Sequence, residues 1–282
     1  MSLTDTAAVP GATAAADRQT GRRFRDLPPA ARRGLLAVLL LVLWQAAVMI
    51  TGVRSLLVPS PLDVARALVE DIASLEIINA TYFTMRTLLT GTAVGMVVGL
   101  LLATFAVLSR TGHDLLKLLV SILNPLPSIA ILPLAMIWFG LTPTAIIVVI
   151  LNSTVWPIAL NADMGFRTVS PTLQRAARTL GIRGLRMVRQ VLLPAALPHL
   201  LSGVRMAWAF GWRTVVAAEL VFGVAGGAGG LGFYINQSRY FLETASVFAG
   251  LVVISALGLL IESVFALIER RTVERWGMAK PS

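Results

Sequence analysis

Few side chains in this sequence could carry out covalent or acid–base chemistry. The chain contains no cysteine, which excludes disulfides, thiolate metal ligands and thiol nucleophiles. Its only two histidines, His113 and His199, lie far apart and form no metal-binding motif. The phosphate-loop pattern G-x-x-x-x-G-K-[ST] is also absent from the sequence. The sequence therefore predicts no metal site, no catalytic residues and no cofactor bound by this chain.

Three ionisable residues nevertheless lie within one long apolar run, namely Arg205, Arg213 and Glu219. Charged groups inside such a run are costly in lipid and usually face a cavity or a partner. Helical geometry places Arg213 and Glu219 on different faces, which argues against a simple pair between them. Two interpretations stay open. Either Arg213 gives positive potential to an anion pathway and Glu219 belongs to a gate or interspan lock, or neighbouring spans satisfy each charge.

Polar residues in two other apolar runs are further candidates for a pathway through the protein. Asn124 and Ser128 flank Pro125 and Pro127, and prolines free backbone carbonyls and kink membrane helices. This pattern suits a span that bends during gating. Asn152 lies in the following run, where a polar side chain either joins helices or faces a pathway.

The composition indicates lipid as the main surroundings of the chain. Of the 282 residues, 56% are hydrophobic and only 13% are charged, and the mean hydropathy is +0.80. Soluble domains carry about 25% charged residues. The formal net charge of +10 comes from basic residues between apolar runs, not from a basic patch interleaved with aromatics, which argues against nucleic acid as a partner.

The apolar runs predict an all-α polytopic membrane protein with six transmembrane helices. The predicted spans are 34–51, 86–109, 115–139, 143–162, 196–223 and 245–268. Residues 60–82 are predicted to form an amphipathic surface helix. Residues 1–33 are predicted to form a disordered cytoplasmic N-terminal tail, 34–270 the transmembrane domain and 271–282 a cytoplasmic C-terminal tail. Small residues at four-residue steps in the second span, Gly91, Gly95 and Gly99, indicate close helix packing.

The distribution of basic residues predicts the orientation. Of the 24 lysines and arginines, 18 lie in one alternating set of segments: 1–33, the connection holding Arg110 and Lys117, 163–194 and the residues after 268. The opposite set holds four. The positive-inside rule therefore predicts that both termini and the loop 163–194 are cytoplasmic.

The loop 163–194 contains a helix with signals at both ends. Ser170 suits the N-cap, Pro171 the first helical position and Gly181 a left-handed C-terminal cap. Leu173, Ala177 and Leu180 are spaced to share one apolar stripe. Physical reasoning alone leaves two uses open for this basic element: a groove on a partner protein, or anionic lipid headgroups.

The same loop resembles a known docking element. Arg175-Ala176-Ala177-x-x-x-Gly181, nine further residues and Val191-x-Leu193-Pro194 are similar in every spacing to the EAA loop of ABC importer permeases, E-A-A-x-x-x-G-x9-I-x-L-P. The wider sequence resembles the nitrate/sulfonate/taurine branch, through stretches such as Pro125-Leu126-Pro127, Trp138-Phe139-Gly140 and Val216-Ala217-Ala218-Glu219-Leu220. One departure concerns Arg175, which stands where the family has glutamate and predicts a compensating acid on the partner.

The resemblance implies a transport subunit and not an enzyme. It implies a bacterial plasma-membrane permease that imports a small solute, expected to be an anion such as nitrate, a sulfonate, taurine or another organic acid. It further implies a cytoplasmic ATPase dimer that holds ATP and Mg²⁺, a second permease copy (by default identical), and a periplasmic or lipid-anchored solute-binding protein. The expected ATPase-docking residues are Arg175, Ala176, Ala177, Leu180, Gly181, Val191, Leu193 and Pro194. The alternative function is an ion-coupled secondary carrier, for which internal repeats are expected.

Overall fold

The computed structural model describes residues 28–222, 229–269 and 271. The helices are α1 (Pro29–Thr51), α2 (Pro61–Ala73), α3 (Glu76–Leu108), α4 (Arg110–Leu123), α5 (Leu132–Phe139), α6 (Pro143–Thr168), α7 (Pro171–Thr179), α8 (Leu185–Ala195), α9 (Leu197–Phe222), α10 (Leu231–Tyr240) and α11 (Thr244–Glu269). A 3-10 turn, Ser128–Ile131, precedes α5, and α8 contains a π-helical turn at Val188–Leu192. The described residues contain no strand. The all-α prediction is confirmed.

The chain divides into two units, 1–63 and 64–282. In the first unit, α1 is a helix of 23 residues, long and apolar enough to cross a membrane. It begins at Pro29, so the predicted tail 1–33 is too long by its last five residues. A proline at the first helical position suits this start. The rest of that tail, 1–27, lies outside the described residues, as do residues 272–282 of the C-terminal tail.

Helices of spanning length match most of the predicted spans. Four described helices (α1, α3, α6 and α11) are long and apolar enough to cross a membrane, and two bent helix pairs raise the number to as many as six. The protein is therefore a polytopic membrane protein. The fourth, fifth and sixth predicted spans are confirmed as α6, α9 and α11, with α6 extending to Thr168.

The prediction of one amphipathic helix over 60–82 is wrong. The structure has the separate helix α2, and α3 begins at Glu76, ten residues before the predicted start of the second span. The helices are separated because Leu75 takes a left-handed conformation with φ 64°. A helix cannot continue through such a residue, since right-handed helical backbone requires negative φ.

The third predicted span, 115–139, is sharply bent. Helix α4 and the segment Ser128–Phe139 form an angle of 87°, so the span consists of two helical pieces. The cause is chemical: Pro125 and Pro127 lie in the break, and neither can donate the backbone hydrogen bond that would continue α4. Asn124 and Ser128 lie on either side of these prolines. The expected bend is confirmed, but it is a right-angled break.

The core of the second unit is built from α3, α6 and α9, with α6 packed against the other two. Glycines allow the close approach of α3 and α6. A Cβ atom on Gly95 would lie 2.0 Å from Thr154 Oγ1, and one on Gly91 would lie 2.6 Å from Ile150 Cγ2. The predicted close packing of small residues is confirmed. Residues of α5 extend this core, because Leu132 and Ala135 are buried with Ile146.

Candidate translocation cavity and docking loop

A cavity of about 500 Å³ lies among α6, α9 and the break after α4. Four of the predicted pathway residues line it, namely Asn124, Ser128, Asn152 and Arg213. Its other lining residues, which sequence reasoning missed, are Ser153, Trp156, Pro157, Leu160, Asn161, Met206, Phe210 and Thr214. The structure thus brings residues from three separate apolar runs to one place.

A hydrogen-bond chain fixes one wall of this cavity. Asn152 Nδ2 donates to Ser128 Oγ at 3.1 Å, and Trp156 Nε1 donates to Asn152 Oδ1 at 3.3 Å. These hydrogen bonds connect α6 to Ser128, the first residue of the segment that follows the proline break. Because both polar ends of the amide are engaged, its orientation is fixed. The Asn152 side chain therefore connects α6 to the segment Ser128–Phe139 and also lines the cavity.

The electrostatic character of the cavity is set by one residue. Arg213 is the only charged residue among the described residues that line the cavity. Amides and hydroxyls (Asn124, Asn161, Thr214) supply further polar contacts, while Trp156 and Phe210 supply aromatic surface. A guanidinium carries its positive charge at any physiological pH and presents five donors. The cavity can therefore attract and hydrogen-bond an anion.

Glu219 does not reach this cavity, which separates it from the other predicted pathway residues. It is buried, with 1% of its surface exposed. Its two carboxylate oxygens accept from Thr84 Oγ1 at 2.8 and 3.0 Å, and one also accepts from the Gly232 amide at 3.0 Å. Thr84 Oγ1 in turn accepts from the Leu231 amide at 2.8 Å. The carboxylate and hydroxyl thus cap the first turn of α10.

Glycine is required where α10 meets Glu219. A Cβ atom on Gly230 would lie 2.1 Å from Glu219 Oε1, and one on Gly232 would lie 2.5 Å from the Val216 carbonyl oxygen. Thr84 belongs to α3 and Glu219 to α9, so one buried polar cluster joins three helices. Neighbouring elements therefore satisfy the Glu219 carboxylate, and its role as a gate or interspan lock stays a prediction. Thr84 was missed because a single threonine in an apolar helix gives no distinctive sequence signal.

Arg205 is paired with the neighbouring span α11. Its guanidinium donates to Glu269 Oε2 at 3.0 Å and also contacts Glu262. This geometry corresponds to satisfaction by a neighbouring helix, one of the two interpretations left open for charges within a span.

The loop helix α7 has the predicted caps. Ser170 Oγ accepts from the Leu173 amide at 3.2 Å, and Pro171 is the first helical residue. Gly181 has φ 78°. The Gly181 amide donates to the Arg178 carbonyl at 3.1 Å and the Ile182 amide to the Ala177 carbonyl at 3.0 Å. These two hydrogen bonds are the pair that defines a Schellman cap.

Of the three residues in the predicted apolar stripe of α7, only Ala177 is buried against the bundle. Ala177 is 5% exposed, but Leu173 is 47% and Leu180 80% exposed. The reason is that α7 is short and touches the bundle along a single line through Ala177, which packs with Phe166, Met187 and Val188. The exposed Leu180 therefore remains available to a partner.

The other expected docking residues divide by exposure. Arg175, Ala176, Gly181 and Pro194 are exposed, whereas Val191 and Leu193 are half-buried against the cluster that holds Ala177. The motif thus has two physical parts. One part fastens the loop to the bundle, and the other faces outward.

This all-α bundle, with an apolar exterior, a polar cavity at a broken span and an outward-facing capped loop helix, defines a polytopic permease subunit. The chain belongs to the family described as the binding-protein-dependent transport system inner membrane component, which matches residues 95–274. It is a permease subunit of an ATP-driven ABC importer in the nitrate/sulfonate/taurine branch, and the ATPase is a separate chain.

Two relatives illustrate the similarity. The chain is 33% identical over 247 residues to the taurine transport system permease protein TauC of Escherichia coli (strain K12), covering 84% of this chain and 86% of that protein. It is 29% identical over 180 residues to the bicarbonate transport system permease protein CmpB of Synechococcus elongatus, covering 64% of each.

Proposed function

We propose that this permease imports a small organic or inorganic anion and that the cavity around Arg213 lies on its path. The observation that carries the proposal is the placement of one guanidinium among amides and hydroxyls, with no carboxylate among the described residues that line the cavity. A cation without a lining carboxylate attracts negative solutes and repels positive ones. The names of the relatives specify bicarbonate, an anion, and taurine, which carries an anionic sulfonate group, and both support a cargo with an anionic group.

Family membership argues against the ion-coupled carrier that the sequence left as an alternative. Such carriers build their sites from paired broken helices in two repeated halves. The break at Asn124–Ser128 is one such feature, but family membership and the loop helix α7 both favour an ATP-driven motor. In the favoured arrangement, ATP and Mg²⁺ bind to the partner ATPase.

We further propose that α7 enters a groove on that ATPase, on the cytoplasmic side. The exposed set Arg175, Ala176, Leu180 and Gly181 supports this role, because small residues permit close approach and Leu180 offers an apolar anchor. The Schellman cap ends α7 cleanly and fixes its length. Since Arg175 is cationic where the family has glutamate, the groove of the partner is expected to carry an acidic residue at its rim.

The complete transporter is proposed to contain two permeases, an ATPase pair and a solute-binding protein. A symmetric homodimer is the default arrangement. The distribution of basic residues supports a cytoplasmic position for both termini. The solute-binding protein then delivers the anion from the opposite side.

The pathway is tested by Arg213→Gln in the reconstituted transporter, assembled with the ATPase and binding protein encoded beside this chain. A charge-assisted hydrogen bond contributes about 1.5–3 kcal/mol, so uptake is expected to fall by about 10- to 150-fold. Arg213→Lys should retain a substantial part of the activity because it keeps the charge. Arg239→Gln is the matched control, since Arg239 lies on α10 away from the cavity. Unchanged uptake in Arg213→Gln would refute the proposal.

The docking role is tested separately by co-purification with the ATPase. Gly181→Val should abolish association, because a β-branched residue is strained at φ 78°. Gly181→Asn is the control, since asparagine tolerates this conformation. Membrane insertion should be the same for both variants. Normal co-purification of Gly181→Val would exclude α7 as the docking element.

A further inference from the structure

A second polar cavity, of about 460 Å³, lies where α3 ends, α4 begins and α6 ends. It is separate from the cavity around Arg213. The lining residues that could bind a charged ligand are Ser109, Arg110, His113, Asp114 and Arg167. Neither the docking motif nor the proposed pathway uses any of them.

Arg167 is held in a fixed position at the edge of this cavity. Its Nε donates to Asp163 Oδ2 at 2.8 Å, one turn earlier on α6. Its Nη2 lies 2.7 Å from His113 Nδ1. A guanidinium can only donate, so Nδ1 accepts and the ring proton lies on Nε2. The remaining donors of Arg167 and the Nε2–H group of His113 are left for another acceptor.

The other charges of the cavity lie on the first turns of α4. Arg110 makes no ion pair among the described residues, and Asp114 lies one turn later on the same helix. A tight corner sets this arrangement. Ser109 Oγ accepts from the Gly112 amide at 2.9 Å, and a Cβ atom on Gly112 would lie 2.3 Å from the Phe105 carbonyl oxygen. The cavity therefore combines two cations, an imidazole N–H donor and one carboxylate that makes no ion pair with the described residues.

The length of α3 and the charges that follow it favour a position of the cavity near lipid headgroups. Helix α3 has 33 residues, which at 1.5 Å per residue makes about 50 Å. The hydrocarbon core of a bilayer is only about 30 Å thick, so α3 extends beyond it. Arg110, His113 and Asp114 directly follow the end of α3, and charged side chains at that end suit the headgroup layer. Leu108, which lines the cavity, is 46% exposed and offers apolar surface beside the charges.

We propose that this cavity binds the headgroup of a phospholipid that carries both a phosphate and a primary amine. The phosphate accepts from Arg110, Arg167 and His113 Nε2. The ammonium donates to Asp114, which explains a carboxylate beside two arginines. An acyl chain continues along the exposed surface next to Leu108. Such a lipid would brace the corner between α3 and α4 against the last turn of α6, from which the docking loop continues.

The test uses native mass spectrometry of the full chain in its detergent-purified transporter, titrated with dimyristoyl lipids bearing ethanolamine, choline or glycerol headgroups. The ethanolamine lipid is expected to bind at least tenfold more tightly than the choline lipid, because a quaternary amine cannot donate a hydrogen bond. Arg110→Gln should weaken binding about tenfold. Asp114→Asn should remove the preference for ethanolamine over choline. Arg239→Gln, on α10, is the control and should bind as the native chain does.

Three results would overturn the proposal. Equal lipid binding by Arg110→Gln and the native chain would exclude the cavity as the site. Complete displacement of the lipid by millimolar inorganic phosphate would assign the cavity to a soluble phosphate. If Arg110→Gln instead loses the ATPase while keeping the lipid, the cavity is a protein contact. Arg167→Gln is avoided as the main variant, because it would leave Asp163 without its partner.

Discussion

The polar cluster at the start of α10 allows a prediction that separates local from global stability. In Glu219→Ala, the Gly232 amide loses its acceptor and the Thr84 hydroxyl loses both carboxylate oxygens. Each buried donor left without a partner costs about 1–3 kcal/mol. The N-terminal turn of α10 should therefore be destabilised by about 2–4 kcal/mol, since Thr84 can still accept from the Leu231 amide.

The same substitution removes a carboxylate from the interior of the bundle. Placing an ionised group there carries a desolvation cost of several kcal/mol, which the variant no longer bears. For the unfolding of the whole chain, the lost hydrogen bonds and the relieved desolvation cost change the free energy in opposite directions. For the opening of α10 alone, only the lost hydrogen bonds count. We therefore expect a small shift in the thermal midpoint together with a large increase in local opening.

The assay is hydrogen–deuterium exchange of peptides that cover α10. A loss of 2–4 kcal/mol corresponds to about 30- to 1,000-fold faster exchange, at tenfold per 1.4 kcal/mol. Ser238→Ala is the matched control, because Ser238 is equally buried on α10 but donates only within its own helix, to the Tyr234 carbonyl. If the amides of Leu231 and Gly232 exchange as slowly in Glu219→Ala as in the native chain, the reasoning fails.

Three further substitutions test individual contacts. Gly95→Val should lower the free energy of unfolding by at least the 1–3 kcal/mol typical of overpacking, because even its Cβ atom would clash with Thr154. An unchanged thermal midpoint would contradict the described α3–α6 packing. Asn152→Ala should reduce uptake, because it removes the hydrogen bond between α6 and Ser128 in the broken span. ATPase co-purification should stay normal, because α7 is unchanged. Uptake at the native level would argue against a role for this hydrogen bond. Tyr234→Phe should raise hydrogen exchange in α2, because the hydroxyl contacts Asp71 on that helix; equal exchange would argue against the contact.

Local sequence chemistry predicted the features that depend on neighbouring residues. The caps of α7 follow from Ser170, Pro171 and Gly181, each of which acts within one helical turn. The extents of α9 and α11 follow from apolar runs of bilayer length. The close approach of α3 and α6 follows from Gly91 and Gly95, because small residues at four-residue steps share a helix face.

Features set by tertiary contacts could not be predicted in the same way. Thr84 and Glu219 are separated by 135 positions, and no local pattern links them. Asn124, Asn152 and Arg213 meet only because the chain turns by 87° after α4; prolines indicated a bend but not its angle. The exposure of Leu180 could not be predicted either, since helical spacing predicts a shared face without showing how much of a short helix the bundle covers.

The broken span also has a consequence for how the chain enters the bilayer during synthesis. Helix α4 has only 14 residues and carries Arg110, His113, Asp114 and Lys117, and a stretch of that length is too short to cross on its own. Charged residues add to the cost of its insertion. We expect a nascent chain that stops after Phe139 to leave this region outside the hydrocarbon. Its integration then waits for α6, which supplies both a full-length span and the buried surface on which Leu132 and Ala135 pack.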